Sequence, residues 1–163
     1  MRVATSGEDA CGGIAAVDAL SRSALAVLHS NGRFMALLNQ LTQPSGVSAA
    51  QWQVLDAVRA GPQSVSAIAR LLGVSRQSVQ RLADLLVEQG LADYRDNPAH
   101  RRARLLVAAE PGEAVLREVG PRHAELARKL CGELGGEEEL RRTTEVLREL
   151  SRALRTVAPY APS

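Results

Sequence analysis

Aromatic side chains are almost missing from this chain: one Trp, two Tyr and one Phe among 163 residues, 2% of the total. Hydrophobic residues still make up 45%, so a core is available, but it must be built from Leu, Val and Ala, which suits packed helices better than a large sheet. Cysteine is nearly as scarce. Cys11 and Cys131 have neither the spacing of a metal knuckle nor the number of a disulfide framework. His29, His100 and His123 are too scattered to suggest a metal site. A run of about 18 apolar residues is absent, so no membrane span is expected. The start, Met1-Arg2-Val3-Ala4-Thr5-Ser6-Gly7-Glu8-Asp9, has acids where a secretory signal needs an apolar run, so a cytoplasmic protein is expected. Phosphate loop, nucleophile–base constellation and paired carboxylates are missing too. No enzyme and no cofactor are expected.

The net charge of +2 carries little information as a total, but its distribution does. Residues 63–107 hold seven arginines (70, 76, 81, 95, 101, 102 and 104) against four acids (84, 88, 93 and 96), a balance of +3. Residues 1–62 hold four of each sign, and residues 108–163 hold nine basic and ten acidic residues. The positive excess is concentrated in one stretch, as expected of a surface that meets phosphates.

That stretch also carries the clearest local pattern. Ile68, Ala69 and Leu72 fall on one side of a short helix. Gly73 allows the positive φ of a tight helix end, and Ser75 is placed to cap a second helix. Val74 and Val79 stand at the two positions of a hydrophobic staple. In the second helix Val79, Leu82 and Leu86 repeat on the inner side, leaving Arg76, Gln77, Gln80 and Arg81 outside. This spacing predicts a helix-turn-helix that offers its second helix to a major groove. Gly90 closes that helix. Residues 91–95 and 103–107 then read as two short strands around the turn Asp96-Asn97-Pro98-Ala99-His100-Arg101-Arg102.

Three runs, Ser75-Arg76-Gln77-Ser78-Val79-Gln80-Arg81, Gly90-Leu91, and Asn97-Pro98 followed by Arg101-Arg102-Ala103, closely resemble the multiple-antibiotic-resistance-regulator (MarR) family of winged-helix transcription factors. The resemblance implies a mainly α-helical chain: a winged helix-turn-helix with a two-stranded β wing, and N- and C-terminal helices that form a homodimerisation region. It implies double-stranded operator DNA and a second copy of the chain as partners, with a small-molecule effector biasing the spacing of the two recognition helices. Repression is expected by analogy with the family. The DNA-contacting set is Ser75, Arg76, Gln77, Ser78, Gln80 and Arg81 on the recognition helix, and Arg95, Arg101 and Arg102 on the wing. Effector-binding residues are not legible. The alternative is a winged-helix regulator without a small-molecule ligand, controlled by a protein partner or by cysteine oxidation. A winged helix used only for protein contact is a third reading, and it would not need the arginines of the wing. Two positions depart from the family pattern. His100 stands where the family carries an acid that orients wing arginines. Ala108-Ala109 lacks the side-chain cap that usually precedes the following helix.

The flanks complete the layout. Residues 1–16 are expected as a disordered lead, residues 17–45 and 110–158 as the helical dimerisation region, and residues 47–109 as the DNA-binding domain, with recognition helix 75–89 and wing 91–107. A first helix spans about 18–42, with Val17, Leu20, Ala24, Val27, Phe34, Leu38 and Leu41 as its stripe. Ser48 and Gln51 have the form of a capping box, and Val47 with Trp52 that of a staple, which makes Trp52 an anchoring residue before a ligand contact. Pro111-Gly112 opens a helix to about 134, with Val115, Val119, Leu126 and Leu130 inward and His123 on the same stripe, as a core or interface side chain. Cys131 beside it reads as a small buried hydrophobe. In the last helix Leu140, Thr143, Leu147, Leu150, Leu154 and Val157 step by three and four, a heptad seam.

Overall fold

The structure, a computed structural model, describes residues 8–98 and 103–157, with side chains from Gly13 onward. Expectations for residues 1–7, for the wing turn 99–102 and for 158–163 lie outside the described residues. In order the chain forms α1 (Glu8–Thr42), a 3-10 turn (Gln43–Ser45), α2 (Ala49–Ala57), β1 (Gln63–Ser64), α3 (Val65–Leu72), α4 (Arg76–Glu88), β2 (Ala92–Arg95), β3 (Leu105–Ala108), α5 (Glu110–Leu134) and α6 (Glu137–Val157). This is the winged helix-turn-helix expected, flanked by long helices.

α1 begins at Glu8, so residues 8–16, expected as part of a disordered lead, continue the helix, and Cys11 falls within it. Ala10, Ala15 and Ala16 help to offset Gly12 and Gly13, which cost about 1 kcal/mol each in helix propensity.

The capping box of α2 forms as read. Ser48 Oγ accepts from the Gln51 amide at 3.2 Å, and Gln51 Oε1 accepts from the Ser48 amide at 2.9 Å. Gln51 Nε2 then donates to Gln89 Oε1 at 2.8 Å, tying α2 to the end of α4. Asn39 of α1 accepts from the Ala49 amide at 2.8 Å, which satisfies another free N–H at the start of α2.

The wing has a strand more than expected. β1 pairs with β3, and the antiparallel order is β1-β3-β2, with Tyr94 and Gln63 on either side of Leu106. Two residues are too few for alternation to reveal a strand; only pairing with β3 defines it.

Leu55, Ile68, Val79, Leu86, Leu106 and Val119 are fully buried and come from α2, α3, α4, β3 and α5. The helix-turn-helix, the wing base and the first half of α5 therefore share one core. α5 meets that core backbone to backbone. A Cβ on Gly112 would sit 2.0 Å from the Leu91 carbonyl oxygen and 3.2 Å from Leu55 Cδ2. The same carbonyl accepts from the Ala109 amide at 3.0 Å. Ala109 gives no side-chain cap, as its sequence indicated, and Glu110 and Glu113 occupy the first turn instead.

Beyond that core two expectations need adjusting. His123, read as a core or interface residue, is not in the core: it is exposed in this chain, with its ring against buried Trp52, centroids 4.8 Å apart. Cys131 is half-buried, because that part of α5 has passed the edge of the lobe.

Candidate nucleic-acid interface

The recognition helix is set by its two ends. Ser75 takes extended backbone (φ −66°, ψ 147°), and its Oγ accepts from the Ser78 amide at 3.1 Å. Gly73 before it adopts φ 68°, and Gly90 after the helix adopts φ 70°, conformations that cost a side-chain-bearing residue about 1 kcal/mol or more. With Val79, Ala83 and Leu86 buried against α2 and α3, the helix cannot rotate, and the opposite face is decided. Ser75, Arg76, Gln77, Ser78 and Arg81 are exposed and Gln80 is half-buried. Arg76, Gln77, Gln80 and Arg81 line one side of an open concavity of about 1060 Å³.

The arginines of this face differ from those of α5. Arg117, Arg122, Arg128 and Arg141 of α5 and α6 are each held by glutamates on their own helix. Arg76 and Arg81 make no ion pair among the described residues. An exposed helical pair contributes only a few tenths of a kcal/mol, about 0.3–0.5, but it neutralises an arginine that would otherwise meet a phosphate.

Gln80 is engaged differently. Its Nε2 donates to Asp84 Oδ1 at 2.8 Å and to the Tyr94 hydroxyl at 2.7 Å, and the Tyr94 hydroxyl donates to the same Asp84 oxygen at 2.8 Å. Recognition helix and wing strand thus share a closed triangle of hydrogen bonds. Arg104 covers it from the wing, with Nη2 donating to the Tyr94 carbonyl at 3.0 Å and the guanidinium 4.9 Å from the Tyr94 ring centre. Burial pushes the Tyr94 phenol up to about 12, with the Asp84 hydrogen bond and charge adding to it and Gln80 and Arg104 opposing. Tyr94, Asp84 and Arg104 were not among the residues singled out from sequence. Strand alternation was the available signal, since Ala92 and Tyr94 share the face turned to α4, and Asp84 is one turn beyond Gln80.

The same alternation separates Arg95 from the groove-face residues. It points to the other side of the sheet and lines a cavity of about 600 Å³ between the end of α2, the wing base and α5, with Arg59, Val107, Leu116 and Arg117. Arg101 and Arg102 lie outside the described residues. No group of three or more His, Cys, Asp or Glu placed to hold a metal ion occurs among the described residues, and no helix is long and apolar enough to cross a membrane.

Comparison with known proteins agrees with this geometry. The MarR family model matches residues 45–103, the lobe from the turn before α2 to the wing. Over 114 residues the chain is 39% identical to an uncharacterized protein of Mycobacterium tuberculosis, covering 70% of this chain and 79% of that one. A MarR variant from E. coli, solved in complex with operator DNA, superposes with a TM-score of 0.63 at 25% identity, covering 77% of this chain and 91% of that one. BpsR of Bordetella bronchiseptica, whose DNA binding is regulated by 6-hydroxynicotinic acid, gives 0.67 at 24% identity, covering 78% and 91%. With a capped recognition helix, a three-stranded wing and an arginine- and glutamine-bearing outer face, this chain belongs to the MarR family of DNA-binding transcription regulators.

Proposed function

We propose that the protein is a cytoplasmic, homodimeric repressor that binds a pseudo-palindromic operator and is released or adjusted by a small-molecule effector. The observation that carries the DNA-reading half is the outer face of α4, capped by Ser75 and turned outward by buried Val79, Ala83 and Leu86, where Arg76, Gln77 and Arg81 are exposed and neither arginine makes an ion pair among the described residues. In a two-fold dimer the two copies of α4 enter successive major grooves, with half-site centres about 34 Å apart. Arg81 reads guanine and Gln77 and Gln80 read adenine, the pairings that their donor and acceptor geometry favours. Arg101 and Arg102 contact the minor groove or its phosphates. The support for a dimer is the apolar stripes of α1 and α6, which are only partly covered in one chain, with Val17, Leu20, Leu147 and Leu154 about half exposed or more. The support for an effector is the cavity lined by Arg59, Arg95 and Arg117, which touches both the wing base and α5, so that an occupant bears on the wing and on a terminal helix at once. BpsR shows that such control exists on this fold.

The deciding experiment compares wild type with Arg81→Ala on the operator selected by wild type from random duplexes, and on random DNA, at one fixed salt concentration. Each bidentate contact contributes about 1–3 kcal/mol of discrimination and occurs twice by symmetry, so the operator should lose about 2–6 kcal/mol and random DNA far less. Equal losses would make Arg81 a phosphate anchor. A wild type that selects no sequence would overturn the reading.

A further inference from the structure

Of the four long side chains on the groove face, Arg76, Gln77, Gln80 and Arg81, Gln80 is the one held by other side chains among the described residues, and its partners decide which way its amide faces. An ionised carboxylate only accepts hydrogen bonds. At 2.8 Å from Asp84 Oδ1 the Gln80 terminal atom must therefore be the nitrogen, because a flipped amide would bring two oxygens together there. The Tyr94 hydroxyl closes the arrangement by donating to Asp84, which leaves its lone pair to accept from the same nitrogen. Gln80 also lines both the large concavity over α4 and a smaller one of about 210 Å³ under the wing, so the residue stands between the wing crevice and the groove face.

We infer that Tyr94 is a positioning residue for base reading: together with Asp84 it holds the Gln80 carboxamide in one orientation, so that its oxygen, Oε1, is what α4 offers one base as a fixed acceptor. The inference rests on the DNA-reading role proposed above. With its N–H groups donated to Asp84 and Tyr94, the amide is left with its oxygen, which complements an exocyclic amino group in the major groove, N6–H of adenine or N4–H of cytosine. An amide free to flip exchanges donor and acceptor and tolerates other bases. Holding the side chain before DNA arrives also removes rotamer entropy that would otherwise be lost on binding. Because Tyr94 lies on β2, the strand that leads into the wing turn, the reader and the wing move as one piece.

The test is a double-mutant cycle on base discrimination. Wild type, Tyr94→Phe, Gln80→Ala and the double variant are measured on the operator selected by wild type, on operators changed at the base pair where Gln80→Ala loses its preference, and on random duplexes. Tyr94→Phe keeps the ring under Arg104 and removes only the hydroxyl. It should reduce discrimination at that base pair about fivefold, what about one hydrogen bond contributes, with random-DNA affinity unchanged as the control for folding. In the Gln80→Ala background the same change should have no effect on discrimination. Asp84→Ala should reproduce the loss. The inference is overturned if Tyr94→Phe leaves discrimination intact, weakens all duplexes equally, or acts as strongly without Gln80. A wild type that enriches no sequence would remove the DNA-reading role as well, whereas a selective wild type with an uncoupled cycle would remove only this inference.

Discussion

The winged-helix lobe and the terminal helices are made of the same apolar residues and end in opposite conditions. In the lobe, Leu55, Ile68, Val79, Leu86 and Leu106 have no exposed surface at all. In α6 no side chain is buried, and Leu147 and Leu154 of its seam remain 48% and 51% exposed. Val17 and Leu20 of α1 are more exposed still, at 65% and 61%. The lobe closes because five elements converge on it from different directions, so each stripe finds a facing stripe. α6 packs chiefly along α5, and its far end, at Ser151, Leu154 and Arg155, only borders an open gap beside α3 and the turn before α4, so much of its apolar stripe stays uncovered. The difference teaches that one chain closes the winged-helix core by itself and leaves the apolar stripes of its terminal helices partly open.

The strongest way to break this comparison is to charge the exposed seam. Leu147→Glu with Leu154→Glu leaves the lobe core untouched, so in an isolated chain the pair should be nearly neutral, within about 0.5 kcal/mol per site. In a dimer each buried leucine contributes about 1.5–3 kcal/mol, doubled by symmetry, and the variant should sediment as monomer or aggregate where wild type sediments as dimer. An unchanged sedimentation profile would show that this seam is not the interface.

Within the lobe, Gly112→Ala sharpens the other side of the contrast. The added Cβ meets the Leu91 carbonyl at 2.0 Å, a backbone atom that cannot swing aside. A loss of at least about 1–3 kcal/mol should appear as a lower thermal or denaturant midpoint. Unaltered stability would mean that α5 does not dock on Leu91 as described.

A smaller effect, on binding alone, is expected at the wing. Arg101→Ala with Arg102→Ala should weaken all DNA sequences about equally. The slope of log K against log salt should fall by about 0.9 for each phosphate that the wing no longer neutralises. An unchanged slope would show that the wing does not touch the backbone.

The least effect concerns pH. The Tyr94 phenol lies near 12 in the folded protein against about 10 when free. A folded value that is raised gives stability fully present below pH 10 and lost as pH climbs from 10 to 12. The triangle with Gln80 and Asp84 should therefore be insensitive to pH throughout the neutral range, and phenolate absorbance should show one late-titrating tyrosine that disappears in Tyr94→Phe. Ionisation of both tyrosines near 10 would contradict the burial of Tyr94.

Most of the lobe was legible in the sequence, and the legible parts are the local ones. Ser48 with Gln51, Ser75 before the recognition helix, and Gly73, Gly90 and Gly135 at helix ends all act within one turn of themselves, so their spacing alone states the structure. The outer face of α4 followed from the same logic, since Val79 and Leu86 inward leave Arg76, Gln77 and Arg81 outward. Local signals were weakest where the pattern was thin: Gly12-Gly13 suggested a lead without order, yet the alanines around them carry the helix back to Glu8.

What only the tertiary structure decided are pairings between residues distant in the chain. β1 is two residues long and exists because Leu105 and Leu106 lie beside it. Gly112 is small because Leu91 passes it, not because the helix that begins there needs glycine. Tyr94, Asp84 and Gln80 form a triangle, and Arg95 turns away to Arg59 and Arg117, because strand alternation and the angle of the wing against α4 divide neighbouring residues between two faces. Sequence periodicity specifies which side of an element is apolar, since that depends on residues three or four apart. It does not specify what the side meets, since that depends on how whole elements pack.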